Sequence, residues 1–243
     1  MATKKTEVVE IRPIEVVKTK IRIVGDSPLI MHAWSAKAKR EILVKEIGAT
    51  KTKAREAKNP VEDFVSSMYW LTPMPTEFTK EAVHDSLCNG AKFGFPVTAF
   101  KKAAISAAFR MGWSKDKVSN RGAFFIDPEV DGYYSGDLEI DWDRKGVKVV
   151  PNVFRAEPMV EIHSDGPIMR EDMVRVGMGS ADIRYRGEFQ NWYADLTVSF
   201  NANGQYSMEQ ILNIINAGGY VCGVGEWRPE KDGQYGTFHI QTN

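Results

Sequence analysis

Trp192-Tyr193-Ala194-Asp195-Leu196-Thr197-Val198-Ser199-Phe200, followed by Asn201-Ala202-Asn203-Gly204 and then by Ser207, is the stretch that decides the fold. Trp192, Ala194, Leu196, Val198 and Phe200 fall at every second position. That spacing puts them on one side of a β-strand and the polar residues on the other. Asn-Ala-Asn-Gly is turn chemistry. Ser207, with Glu209 and Gln210 behind it, is an N-cap signature for a helix over 208–217, and Gly218-Gly219 reads as its stop. A strand over 220–224, a loop and a last strand over 236–240 complete the unit.

Working back toward the start, Val17-Lys18-Thr19-Lys20-Ile21-Arg22-Ile23-Val24 alternates apolar and basic residues. This predicts a strand with one face buried and the other presenting Lys18, Lys20 and Arg22. Gly25-Asp26-Ser27-Pro28 ends it. Ser35 is an N-cap for a helix over 36–47, a second helical run covers 51–58, and Pro60 opens a helix over 61–71 that carries Phe64, Met68, Tyr69 and Trp70. A short helix over 80–87 follows. The clearest amphipathic helix is 97–111, with Phe100, Ala104, Ile105, Ala108 and Met111 on one face. Short strands are expected over 123–126, 138–141, 147–153, 159–163 and 181–186, separated by Asp-Gly and Gly-Asp turns.

Without its insertions, the order is strand, helix, two strands, helix, strand. This predicts an α+β protein of ferredoxin-like (RRM-like) plan, an antiparallel sheet with two packing helices. The expected organisation is an N-terminal arm over 1–13, a core domain over 14–34 and 91–243, and a large basic helical insertion over 35–90.

The chain has 243 residues, 43% of them hydrophobic and 11% aromatic, which is the composition of a globular protein with a core. Lys+Arg and Asp+Glu are 32 each, so total charge favours no class of partner and only its distribution is informative. Cys88 and Cys222 are too few and too far apart for a disulfide framework or a zinc site, and read as buried thiols in a reducing compartment. The opening Met1-Ala2-Thr3-Lys4-Lys5-Thr6-Glu7 lacks the apolar core of a secretory signal, and no apolar run is long enough to span a bilayer. A cytoplasmic protein that does not enter membranes is the expectation.

No catalytic, metal or cofactor site is expected. The four histidines, His32, His84, His163 and His239, include no pair of histidines at helical spacing, and neither Gly-x-Ser-x-Gly nor a Gly-Lys-Ser/Thr loop occurs. Gly177-Met178-Gly179-Ser180-Ala181-Asp182 reads as a turn between strands. Glu139, Asp141 and Asp143 alternate on one face and read as a solvated edge.

Three segments have the composition of a binding surface. The first is the basic block with Lys37, Lys39, Arg40, Lys45, Lys51, Lys53, Arg55 and Lys58 against Glu41, Glu46 and Glu56. Cationic helices that project from a domain gain affinity for a phosphate backbone by releasing counterions. A merely solvated Lys-rich surface is the alternative. The second is Arg184-Tyr185-Arg186, near Arg170 and Arg175. Arg184 and Arg186 share a strand face at about 6.6 Å, the reach of successive phosphates, and ion pairing with Asp182 or Glu188 is the alternative. The third runs from Gly218 to Gly236, where glycines bracket Trp227, Arg228, Lys231 and Tyr235. Backbone that can approach a ligand, next to aromatic and cationic side chains, suits base stacking; a hairpin tip with a tucked-in Trp is the alternative.

Ile21-Arg22-Ile23-Val24-Gly25-Asp26-Ser27-Pro28-Leu29-Ile30-Met31-His32 is similar to the opening strand and "SPL" turn of the RAMP superfamily, and Gly223–Gly236 sits where that family's C-terminal glycine-rich loop belongs. Within the superfamily the chain resembles the backbone subunit of CRISPR effector complexes. It also resembles uncharacterised phage-encoded proteins, for which the compartment would be the host cytoplasm. The resemblance covers about a quarter of the chain, at its two ends. It implies a homo-oligomer or filament whose projections grip single-stranded RNA or DNA through the backbone, with 35–90 as such a projection. Trp227, Tyr185 and Trp34 would stack bases. The alternative function is a phage structural or host-inhibitory protein that acts through protein–protein contacts, with the aromatic helix over 61–71 and the arm over 1–13 as docking surfaces. A nuclease using the Asp137–Asp143 carboxylates and a divalent ion is the third.

Overall fold

The alternation at 192–200 produces the strand on which the molecule is built. In the computed structural model, which describes residues 13–46, 58–144, 146–176 and 179–242, β1 is Val16–Gly25 and β9 is Tyr193–Asn201. They pair antiparallel along their length, from Val16 opposite Asn201 to Val24 opposite Tyr193. Ala194, Leu196, Val198 and Phe200 are buried, as the period of two requires, whereas Lys18, Lys20 and Arg22 face solvent. The short strand β4 (Phe124–Asp127) pairs with the other edge of β9, and β10 (Phe238–Ile240) pairs with β1. The sheet order is β10-β1-β9-β4, antiparallel throughout.

Helices α4 (Val97–Arg110) and α5 (Met208–Ala217) share the apolar core with this sheet. Phe100 of α4 meets Trp192 and Phe238 with ring centroids 6.5 and 5.6 Å apart. The Trp192 indole N–H donates to the Ser27 carbonyl at 2.8 Å, so one of the two core tryptophans also ties down the turn after β1. Met111, expected on the buried face of α4, is about half exposed because the helix ends at Arg110.

Ser207 forms a full capping box. Its hydroxyl accepts from the Gln210 amide, and the Gln210 side chain accepts from the Ser207 amide. Ser207→Ala is expected to cost about 1 kcal/mol and lower the melting temperature by about 2–4 °C, as read by thermal unfolding followed by circular dichroism. The α-helix ends at Ala217 with Gly218 as its C-cap, as expected, but 220–224 is not a strand. Gly218–Cys222 is a π-helical turn that continues from α5. The reason is close packing. A Cβ on Gly218 would lie 2.7 Å from the Ala104 amide of α4, and one on Gly219 would collide with the Phe238 carbonyl of β10. The two glycines let the backbone touch a helix on one side and a strand on the other.

The rest of the molecule departs further from expectation. There are three antiparallel sheets among the described residues, not one. β5 (Val130–Asp141) and β6 (Gly146–Ile162) form a long hairpin whose base also pairs with β3 (Phe93–Pro96). β7 (Pro167–Val176) and β8 (Ser180–Phe189) form a second hairpin, which pairs with β2 (Leu29–Ile30). Gly179 lies in its turn, as read from the sequence, while 177–178 lie outside the described residues.

Among the described residues three further helices precede α4: α1 (Ala36–Glu46), α2 (Pro60–Ser66) and α3 (Lys80–Cys88). Ser35 caps α1, with its hydroxyl accepting from the Ala38 amide at 3.2 Å. α2 is shorter than expected. After Ser67 the chain turns extended, and Trp70 bridges to Phe93 and Tyr134 in the neighbouring sheet. Phe64, Met68 and Trp70 are therefore core residues, not a docking surface. Cys222 is buried as expected, but Cys88 is exposed and lies 3.7 Å from His84 Nε2, one turn away on α3. Among the described residues no helix is long and apolar enough to cross a membrane.

Candidate nucleic-acid interface

α1 carries the basic block, and its placement follows from one glycine. A Cβ on Gly136 of β5 would stand 3.1 Å from the Ala36 Cβ, so α1 lies directly on the β5–β6 hairpin at that point. Between them and the loop at 74–78 opens a cleft of about 350 Å³. One wall has Trp34, Lys37 and Arg40, and the opposite wall has Tyr133, Tyr134, Ser135 and Val149. Trp34 is 62% exposed, so its ring is available to a ligand. Tyr134 is braced edge-on by Phe154, with centroids 5.5 Å apart. Glu62 also lines the cleft, and half-buried Asp63 beside it has its carboxyl pushed up by burial, with Lys58 and Lys37 opposing.

The other predicted residues of this block divide. Lys45 is exposed in the last turn of α1. Lys39 points at the hairpin rather than at solvent, with its Nζ enclosed. Lys51, Lys53 and Arg55, together with most of the helical run over 51–58, lie outside the described residues. Lys58 donates to Asp182 at 2.9 Å and to the Ile183 carbonyl, joining the start of α2 to β8.

The Arg184-Tyr185-Arg186 segment is occupied by its own chain. Arg186 is 2% exposed, and its guanidinium bonds Asp172 at 2.9 Å and approaches Glu226 at 3.8 Å. Arg170, directly opposite Arg186 in the ladder, is held by Asp172 and Glu188 at 2.7 Å each and lies over the Tyr235 ring. Burial disfavours the Asp172 carboxylate, but hydrogen bonds from Arg170, Trp227 and Arg186 outweigh it and hold the group below the usual carboxylate range. Arg184 lies 3.8 Å from Asp182, and the Tyr185 hydroxyl is engaged by Glu171. The pairing alternative describes this segment. An enclosed guanidinium with two carboxylates cannot also grip a phosphate, so Arg186 is corrected from a contact residue to a structural one.

The same network fixes the glycine-rich loop. The Glu226 amide donates to the Ile30 carbonyl, the Gly236 amide to Pro28 and the Asp26 amide to Thr237, each at 2.9 Å. The two segments that carry the family resemblance, some 200 residues apart, are thus bonded to one another. His32 meets Glu226 at 3.0 Å, and that bond, ahead of opposing burial, lowers the Glu226 carboxyl. Trp227 adopts φ 52°, a conformation uncommon for a residue with a side chain, and is 37% exposed. Arg228 is turned inward, donating to the Gly225 carbonyl at 2.9 Å and pairing with Glu230, while Lys231 is exposed.

A second cleft, of about 450 Å³, lies between this loop and α4, lined among others by His32, Tyr69, Lys102, Glu157 and Arg228. His32 faces it while Ala33 and Trp34 face the first, so the two clefts flank one short stretch of chain. The segment Tyr133-Tyr134-Ser135 was missed as part of the site. It lies between Asp131-Gly132 and Gly136-Asp137, which read as turns but are bulged positions inside a strand. Glu139, Asp141 and Asp143 are all exposed, in keeping with a solvated edge, and among the described residues no three His, Cys, Asp or Glu side chains are placed to hold a metal ion. Neither a protein-family model nor a curated protein matches the chain.

Proposed function

We propose that the chain is a non-catalytic protein that binds single-stranded RNA or DNA, largely independently of sequence, and assembles as a homo-oligomer. The observation that carries this reading is the cleft under α1. An exposed Trp34 and a Tyr134 supply ring faces, while Lys37 and Arg40 line the same cleft. Aromatic platforms interleaved with cations are what sequence-tolerant single-strand binding requires. In this reading, Lys45 extends the electrostatic path. Lys231 and Trp227 form a second point of contact beyond the 32–34 stretch.

The order β10-β1-β9-β4 with α4 and α5 fits a ferredoxin-like core, and supports kinship with the RAMP superfamily. The helices at 35–90 and the two hairpins would then be insertions that project from that core.

The test is fluorescence anisotropy with labelled single-stranded RNA and DNA across a salt series, with negative-stain images of the same samples. Salt-sensitive binding with nucleic-acid-dependent oligomers is expected. No binding at low salt, together with oligomers in the absence of nucleic acid, would replace this reading by the protein-binding one.

A further inference from the structure

Beneath α1, donors converge that have no acceptor. Lys39 Nζ is closed off from solvent and has no hydrogen-bond partner, and the same is true of Ser135 Oγ on the strand below. Arg155 stands directly opposite Tyr133 in the β5–β6 ladder, and Ser135 is two residues from Tyr133. Tyr133, Ser135 and Arg155 therefore project from the same face of the hairpin, and Lys39 comes within electrostatic reach of Arg155 there. Among the described residues, no carboxylate lies within ion-pair distance of Lys39 or Arg155. Asp137 acts on Lys39 only from further away, and one of its oxygens is occupied by the Leu138 amide at 2.9 Å.

An enclosed ammonium and an enclosed hydroxyl without partners, next to a second cation, are unfavourable in the empty protein. Burial pushes the Lys39 ammonium down from its usual range and Arg155 pushes it further, with Asp137 opposing. What would relieve all three groups is one anion that accepts several hydrogen bonds, and the tetrahedral oxygens of a phosphate diester do so. The place also adjoins the candidate strand path, because Ser135 and Gly136 are part of the cleft wall.

We propose that Lys39, Arg155 and Ser135 form an anion subsite under α1 that takes one phosphodiester of a strand lying in the cleft. The assignment of the anion to a strand rests on the proposed nucleic-acid function; the anion subsite itself does not.

The experiment uses the whole chain and two probes: inorganic phosphate against chloride at matched ionic strength, read as thermal shift, and a labelled single-stranded oligonucleotide, read as anisotropy. Phosphate is expected to raise the melting temperature of the parent protein and not that of Lys39→Met. Lys39→Met removes an unpartnered charge from a helix with no fully buried residue, so without phosphate its melting temperature should rise by about 2–4 °C. Its oligonucleotide affinity should fall by about tenfold or more, and Arg155→Met should behave alike. An equal phosphate response in parent and variants, or none in the parent, overturns the subsite. Oligonucleotide binding that both substitutions leave unchanged overturns the assignment of the subsite to the strand, while leaving the nucleic-acid function standing. A phosphate response abolished by Lys39→Met in a protein that binds no oligonucleotide supports the subsite and overturns its assignment to a strand.

Discussion

Reversing Lys37 and Arg40 to Glu together is expected to weaken single-strand binding by roughly a hundredfold at low salt. Each cation removed from a phosphate path makes the plot of log affinity against log salt shallower by about 0.7 for a single strand, so the pair should flatten the slope by about 1.4. Trp34→Ala makes the contrast. Loss of one stacked base costs about 1–3 kcal/mol and releases no counterion, so affinity should fall while the slope stays as in the parent protein. Both side chains of the cation pair line the cleft, Trp34 is exposed at its edge and α1 buries none of its residues fully, so none of the three changes threatens the core. Equal affinity and equal slope for the reversed protein would remove α1 from the interface.

Asp172→Ala is expected to be the most damaging single substitution outside the apolar core. It strips the common partner from Arg170 and Arg186, leaving the 2%-exposed Arg186 with only Glu226 at 3.8 Å. Breaking a buried pair from one side costs about 3–5 kcal/mol, which lowers the melting temperature by about 10 °C in a chain of this size. The same network gives the protein its acid sensitivity. Asp172 and Glu226 are held below their unfolded values, and so is Asp195, foremost by its bonds from Arg22. A carboxylate depressed in the folded state contributes stability above its unfolded pKa, and that contribution is lost as pH falls through the folded value. The melting temperature should therefore be level near neutrality and decline below about pH 5, with Asp63, raised by burial, working the other way. In Asp172→Ala the decline should be shallower, and a melting temperature within about 2 °C of the parent would show that the network is not structural.

The half of the fold built on β1, β9 and α5 was legible because its signals are local. Period-two alternation, a capping serine and a turn each act within a few residues. The β5–β6 hairpin was legible only in pieces, as the short strands over 138–141, 147–153 and 159–163. Gly132 and Gly136 look like breaks, yet each occurs within β5, and Asn152 takes φ 54° in mid-strand, where its side chain accepts from the distant Met74 amide at 2.7 Å. Such positions are stabilised by partners far away in sequence, which periodicity cannot register. The Gly218-Gly219 pair was only half legible for a related reason: a helix stop and a tight packing contact use the same residue.

For the site, one wall could be read and the other could not. Charge and an aromatic residue mark Trp34, Lys37 and Arg40 in the bare sequence. Tyr133, Tyr134, Ser135 and Arg155 become neighbours of α1 only once the hairpin has formed. Arg186 shows the converse, a cation whose sequence context suits phosphate but whose ladder position, diagonal to Asp172 and opposite Arg170, encloses it.

The most direct measurement is photocrosslinking of a bound single-stranded oligonucleotide, followed by mass-spectrometric identification of the modified peptides. Crosslinks at Trp34 and at Tyr133 or Tyr134, lost on reversal of Lys37 and Arg40, are the predicted result. A strand that binds but crosslinks only elsewhere, with neither wall of the cleft modified, would contradict the account.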